Sequence, residues 1–563
     1  MKIIGFDFGT TNSTISHYIA EDNLETVRPF GAGSDYYPTV VSYEKDSQGK
    51  IIDSSSIIGP PAKENLCSKD HEVYENFKLH LGKNFNEIMK GRSKTSGEVA
   101  ADFIKKSLIK YIEKQPVDIE SIIITMTLPD AWYKEEEYKT ARGKIKGLYK
   151  NLLINKKQSK DDKSEYINIK IILASESDAA TAYFCKCYKQ SEKKEFDGHV
   201  VVVDFGGGTL DVNLCKVSNG EIDVKKRDGY GKFGIKNGCA GVAFDVAVVK
   251  QLLKNKKLTI EEGNDEFIDL CHLFEKWKIN SFDEYKDPMI NYCIMGLPRF
   301  NKNKLGTVRG RNVDLEIYCE DLKKGFEEAN INELQQSLNT IKKYLEENKI
   351  NYKDQDKFRV LLVGGFSNFI LVDHEVRKAF ESSIEKLNDR VFLEPFGYDR
   401  YLAIAKGAAI LGNKNNADGI HVIKRARFSY GFRKHYIKGK NENEILQSAD
   451  GEDIKVLREG TILNEIGNGP IEWEKLKINK FVNLSKAIFC LIRHDSESDK
   501  TVVTKLPYTL DRLFPDIAHE KEYDIGFSID EDDEIPILHI RDSKDITKKS
   551  ETPLFELEEV YGM

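Results

Sequence analysis

Residues 200–217 read VVVVDFGGGTLDVNLCKV. Val200 to Val203 form an unbroken β-branched run, the pattern of a strand buried on both faces. Asp204 ends the run, Gly206, Gly207 and Gly208 make a turn, and Thr209, Asp211 and Val212 open a second strand. Three successive glycines permit positive φ and let backbone N–H groups approach a phosphate with no Cβ in the way. A carboxylate where a buried strand meets such a turn is well placed to hold a hydrated magnesium ion.

The same device opens the chain. Residues 3–16, IIGFDFGTTNSTIS, run from an apolar stretch through Asp7 and Gly9 into the polar cluster Thr10, Thr11 and Asn12. A third glycine turn closes residues 359–367, RVLLVGGFS, at Gly364 and Gly365, followed by Phe366. One acid-plus-glycine turn says little, because a β-hairpin needs the same residues. Three of them, each ending an apolar strand, point to a phosphate-binding cleft.

In combination DFGTTNS, DFGGGTLD and VGGFS resemble the two phosphate loops and the adenosine loop of the actin, sugar kinase and heat shock protein 70 superfamily. Three glycines before Thr-x-Asp favour the heat shock protein 70 (DnaK-type) branch. The resemblance spans roughly residues 1–412. It implies an α/β, actin-like ATPase domain of two lobes with ribonuclease H-like cores. Lobe I would cover 1–198 and lobe II 199–412, with a closing helix near 401–413 returning to lobe I. A linker at 413–420 and a β-rich client- or partner-binding domain at 421–563 would follow.

A chain of 563 residues is too long for one core. Its 85 Lys and Arg against 92 Asp and Glu give a net charge of −7, which does not argue for nucleic acid as the main partner. No apolar run reaches the roughly 20 residues of a membrane helix. The first strand begins at Ile3, leaving no room for a signal peptide. The nine cysteines lack zinc-like spacing, and Cys185 and Cys187 form only a C-x-C on an expected helix. Together these features suggest a reducing cytoplasm.

The resemblance also assigns roles along the chain. Lys78, in FKL (77–79) with Leu81-Gly82 following, matches the lysine that reaches the γ-phosphate; the alternative is a solvated helix lysine. Amphipathic periodicity predicts a helix over 97–114. Residues 122–126 read as a buried strand, 134–153 as a charged helix and 155–167 as a polar loop. Glu176 matches the glutamate beside the magnesium water shell, although a helix N-terminal carboxylate is the competing reading. The family's proline after that glutamate is Ser177 here, which puts the usual interdomain relay in doubt.

Asp245 is expected to cap a helix. Glu275 and Lys278 resemble the ribose-side pair of the family's adenosine helix, but an ordinary i,i+3 ion pair accounts for the same spacing. The arginines that flank adenine in the family are replaced by Ile279 and Asn368. The implied site therefore takes ATP or ADP with Mg2+. Asp7 and Asp204 hold the metal shell, Lys78, Glu176, Asp204 and Thr209 carry catalysis, and Gly9–Asn12 with Gly206–Thr209 clasp phosphates. Asp211 has a supporting place. Gly364, Gly365 and Phe366 lie on the adenosine side with Glu275 and Lys278.

After residue 420 the strand-like pieces VIKRARFSYGF, HYIKGK, IKVLREGTIL, AIFCLIRH, EYDIGFSID and IPILHIRD predict a small β-sandwich or barrel. No Leu-rich linker or lid-length helical region is evident. The terminal EEVYGM does not match the family's co-chaperone docking tag. The layout is similar to short, lid-lacking members of the family. An ATP-driven chaperone-like switch is thus the leading expectation. It would bind an unfolded or specific client, with a J-type co-chaperone and a nucleotide exchange factor as further partners and no role for nucleic acid or membrane. A nucleotide-sensing scaffold with little hydrolysis is the alternative. A sugar-kinase-like phosphotransferase and an actin-like filament fit less well.

Overall fold

The structure, a computed structural model, describes residues 1–413 apart from 21–22, 32–33, 67, 82–84, 87, 90, 116–118, 131, 133–144, 146–166, 232–238, 263, 296–302, 308–313 and 387. Beyond these it describes 419–423, 429–433, 453–458, 462, 473–478, 484–485, 488–495, 500–529 and 536–553. Gly82, nearly all of the helix expected at 134–153 and the loop expected at 155–167, most of the linker, HYIKGK and EEVYGM lie outside the described residues.

The described residues divide into two compact units, Met1–Val422 and Ile423–Met563. The first is built on two sheets of the same plan. One contains β1 (Lys2–Asp7), β2 (Asn12–Ala20), β3 (Asn23–Val27), β4 (Ser121–Leu128) and β5 (Asn168–Ser175), in the order β3-β2-β1-β4-β5. The other contains β6 (Gly198–Phe205), β7 (Leu210–Ser218), β8 (Glu221–Tyr230) and β9 (Phe358–Val363), in the order β9-β6-β7-β8. In each, a hairpin runs antiparallel through the first strands while a later strand joins in parallel, β4 beside β1 and β9 beside β6. The register repeats as well: Asp7 lies opposite Thr14, and Asp204 opposite Asp211. This duplicated α/β plan is the two-lobed actin-like ATPase fold.

The β-branched run of β6 is buried on both faces, as its composition demands. Val201 and Val203 join one core with Phe244 and Phe366, while Val200 and Val202 join another with Ala408 and Phe184. All four valines are inaccessible to solvent. Helix α1 (Ser96–Glu113) turns Val99, Phe103, Ile104, Leu108 and Ile112 inward, and its N-terminus is closed by a Thr95–Glu98 capping box. Helix α2 (Glu176–Glu192) follows β5 directly, capped by Ser175.

Helices α3 (Gly241–Asn255) and α4 (Asp265–Met289) pack on the core that holds Val201 and Val203. Helix α5 (Ala403–Gly412) lies against α2 and the first sheet. It can do so because its contact face is made of small residues. A Cβ on Gly407 would stand 1.7 Å from the Ala179 carbonyl oxygen, and one on Gly5 would stand 2.0 Å from that of Ala405.

The second unit holds two four-stranded antiparallel sheets. One runs Asp453–Leu457, Ser429–Arg433, Ile488–Asp495, Lys500–Thr509, and the other Trp473–Lys477, Glu522–Ile529, Pro536–Asp542, Lys549–Pro553. Alternate residues Tyr523, Ile525 and Phe527 point inward, and the Tyr430 and Phe527 rings meet between the sheets at 6.5 Å. Among the described residues no helix is long and apolar enough to cross a membrane.

Candidate functional site

Both Asp-Gly turns open into one cleft of about 1360 Å³ in the first unit. Asp7, Gly9, Thr10, Thr11, Asn12, Lys78 and Glu176 line it from one side, and Asp204, Gly206, Gly207 and Thr209 from the other. The two turns interlock closely. A Cβ on Gly207 would sit 2.5 Å from the Thr11 side chain, and one on Gly208 would strike Leu79 and Thr10. Gly208 and Asp211 do not line the cleft; Asp211 is wholly buried behind the loop.

Lys78 sits on a 3-10 turn, Phe77–His80, entered through Asn76 in the left-handed region at φ 54°. Its side chain is 2% exposed, so it is not a solvated surface lysine. The ammonium donates to Glu176 Oε1 at 2.9 Å, with the Phe8 and Trp132 rings 5.5 and 5.7 Å away. Glu176 is the first residue of α2, so the helix N-terminal reading of its position holds together with the site reading.

Three carboxylates thus share one buried region with one lysine. Burial, and then the charge of Glu176, pushes the Asp7 carboxyl up to about 7, against the opposing pull of Lys78. Burial drives Asp204 well above the usual carboxylate range, with Glu176 and Asp7 adding to the push. Burial also raises Glu176, which Lys78 partly offsets. A pocket so short of positive charge favours a cation.

The residues fit magnesium. Asp204 lines the cleft, and its Oδ2 is buried with no hydrogen-bond partner among the described residues, which leaves an acceptor for a bound ion or its water. Gly364, at φ +84°, passes so close that a Cβ there would lie 2.4 Å from Asp204 Oδ1. Among the described residues no cluster of three or more His, Cys, Asp or Glu gathers as a metal cage. Two carboxylates suit an ion that keeps most of its own water.

At the other end, Phe366 is buried and packs on Phe205, Phe244 and Phe369 with centroids 5.0–5.5 Å apart. It lines the cleft together with Gly364 and Gly365. Glu275 and Lys278 do not pair with each other, so the i,i+3 ion-pair alternative is not what forms. Glu275 accepts from Lys63 at 2.7 Å, and Lys278 donates to both oxygens of Asp245 at 2.5 and 2.8 Å.

The expectation for Asp245 is corrected accordingly. It lies inside α3, whose N-cap is Ala240, and the demand of a buried lysine sets its position. Ile279 is 55% exposed at the cleft, and Asn368 donates to the Gly365 carbonyl. Lys63, and the His272–Glu75 bond of 2.6 Å, were invisible in sequence because their partners are nearly two hundred or more residues away.

Two strand–Asp–Gly hairpins facing each other across a cleft define a nucleotide-binding domain of the actin-like ATPase class. Residues 167–415 match the family model described as Hsp70 protein. Over that stretch, which is less than half of the chain, the sequence is similar to the Hsp70 family.

Proposed function

We propose that the chain is a slow, magnesium-dependent ATPase switch of the cytoplasm, its nucleotide state governing client or partner binding by the β-rich unit. The observation that carries this reading is the buried convergence of Asp7, Asp204, Lys78 and Glu176 beside two glycine turns. Asp7 and Asp204 would hold the hydrated ion, and the bound ion would neutralise phosphate charge. Backbone N–H groups of Gly9–Asn12 and Gly206–Gly208, with Thr209, would clasp the phosphates. Lys78, Glu176 and Thr209 would position the attacking water, so that catalysis is orientation and electrostatics. An unfolded or specific client, a J-type co-chaperone and a nucleotide exchange factor are the partners this reading calls for.

One observation favours a second reading, a nucleotide-sensing scaffold with little turnover: the Lys78 ammonium is already engaged by Glu176. Single-turnover hydrolysis of Mg-ATP by the parent, Lys78→Ala and Thr209→Ala separates the two. The switch reading expects slow hydrolysis in the parent and a fall of about 100-fold or more in Lys78→Ala, with ATP still bound. Tight binding with no turnover in any variant would replace it with the scaffold.

A further inference from the structure

We propose that Arg227 is a positioning residue for Glu176: it closes a polar clasp between the two sheets that fixes the first turn of α2. The inference rests on the reading of the cleft as an ATP-hydrolysing site. Arg227 lies on β8 of the second sheet, yet its partners belong to the first sheet and to α2. One guanidinium nitrogen bonds Asp130, just beyond β4, and Ser175 Oγ at 3.0 Å. The other holds both oxygens of Asp178, at 3.1 and 2.9 Å. From the neighbouring strand β7, Asn213 Nδ2 donates to Asp130 Oδ2 at 2.6 Å and to Ser177 Oγ at 2.5 Å.

Glu176 stands between two anchored neighbours. The Ser175 hydroxyl donates to Asp130 Oδ2 at 2.5 Å and accepts from the Asp178 amide and from Arg227. Its hydrogen and its acceptor capacity are thereby both committed. Ser177, inaccessible to solvent, is held by Asn213. Asp130, Ser175, Ser177 and Asn213 are all at most 2% exposed, and Arg227 is 19% exposed at its side chain. The first turn of α2 cannot rotate or slide without breaking several of these bonds, and Glu176 rides on that turn.

The clasp lies where the family resemblance places a rigid proline, at Ser177, and a hydrogen-bonded serine does the fixing instead. It also touches the electrostatics of the site. After burial and the nearer charges, Asp130 adds to the upward push on the carboxyls of both Glu176 and Asp204. A simple structural ion pair would need only the charge of Arg227. Positioning needs its planar fork, which reaches Asp130 and Asp178 at once.

Arg227→Lys and Ser177→Ala in the full chain test this. Both are compared with the parent by Mg-ATP affinity, by single-turnover hydrolysis and by hydrogen exchange over residues 172–184. Expected are an affinity within about threefold, hydrolysis slowed about tenfold or more, and faster exchange at the start of α2. Hydrolysis and exchange within about twofold of the parent would overturn the proposal, as would affinity and hydrolysis falling together. If Arg227→Lys does not fold, Ser177→Ala decides. A parent that binds Mg-ATP without turnover sinks the ATPase reading alone. The clasp then stands on accelerated exchange and falls if protection is unchanged.

Discussion

Lys78 and Glu176 are almost wholly withdrawn from water, with side chains 2% and 5% exposed. Removing one member of such a pair strands the other charge in a low-dielectric pocket, at a cost of about 3–5 kcal/mol. Lys78→Met is therefore expected to lower stability by about 3 kcal/mol in urea denaturation at neutral pH. The double variant Lys78→Met/Glu176→Gln should recover most of that loss. The single-variant loss should shrink on acidification, because burial already favours the protonated Glu176. Asp7, Asp204 and their glycine turns were legible in sequence because their chemistry and their backbone requirement sit within a few residues. Lys63 and Arg227 were not. A lysine in PPAKE and an arginine in KKRDG carry no local mark of a distant partner.

Helix α4 shows how one element joins two sides of the cleft. His272 and Glu275, three residues apart on one face, bond Glu75 at 2.6 Å and Lys63 at 2.7 Å. Burial alone would lower the His272 imidazolium, but the hydrogen bond and charge of Glu75, followed by Glu275, outweigh it and hold its pKa above the ordinary 6.5; Lys63 opposes them. A raised histidine pKa gives stability that is fully present below the unfolded value and is lost as pH rises through the folded one. Thermal stability is thus expected to fall as pH climbs above 6.5 and through the raised folded-state value, and His272→Gln should flatten that fall.

Elements were legible in proportion to their apolar pattern. The valine run of β6 announced a strand buried on both faces, and α1 announced its inward face. Lys549–Pro553 is a strand with the sequence KSETP, formed because β-pairing accepts polar residues at a sheet edge. Lys500–Thr509 carries Pro507, which argues against a strand unless it lies at an edge, and its sheet places it there.

At the scale of the molecule, the chain separates into a nucleotide-binding unit and a β-rich unit joined near Val422. The first has its own cores and contains the whole cleft. A chain ending at Val422 is expected to melt cooperatively and to keep Mg-ATP affinity within about threefold of the full chain. Calorimetry and nucleotide titration check both. Hydrolysis stimulated by unfolded polypeptide should vanish with the second unit.

The chain has three tryptophans, and one of them, Trp132, is buried with its ring 5.7 Å from the Lys78 ammonium. A chromophore held that near a site charge registers changes in the local field directly. The protein therefore carries its own optical gauge. Under the proposed function, a phosphate group drawing on the lysine is expected to change the indole emission, and occupancy of the cleft would become visible as light without an added label.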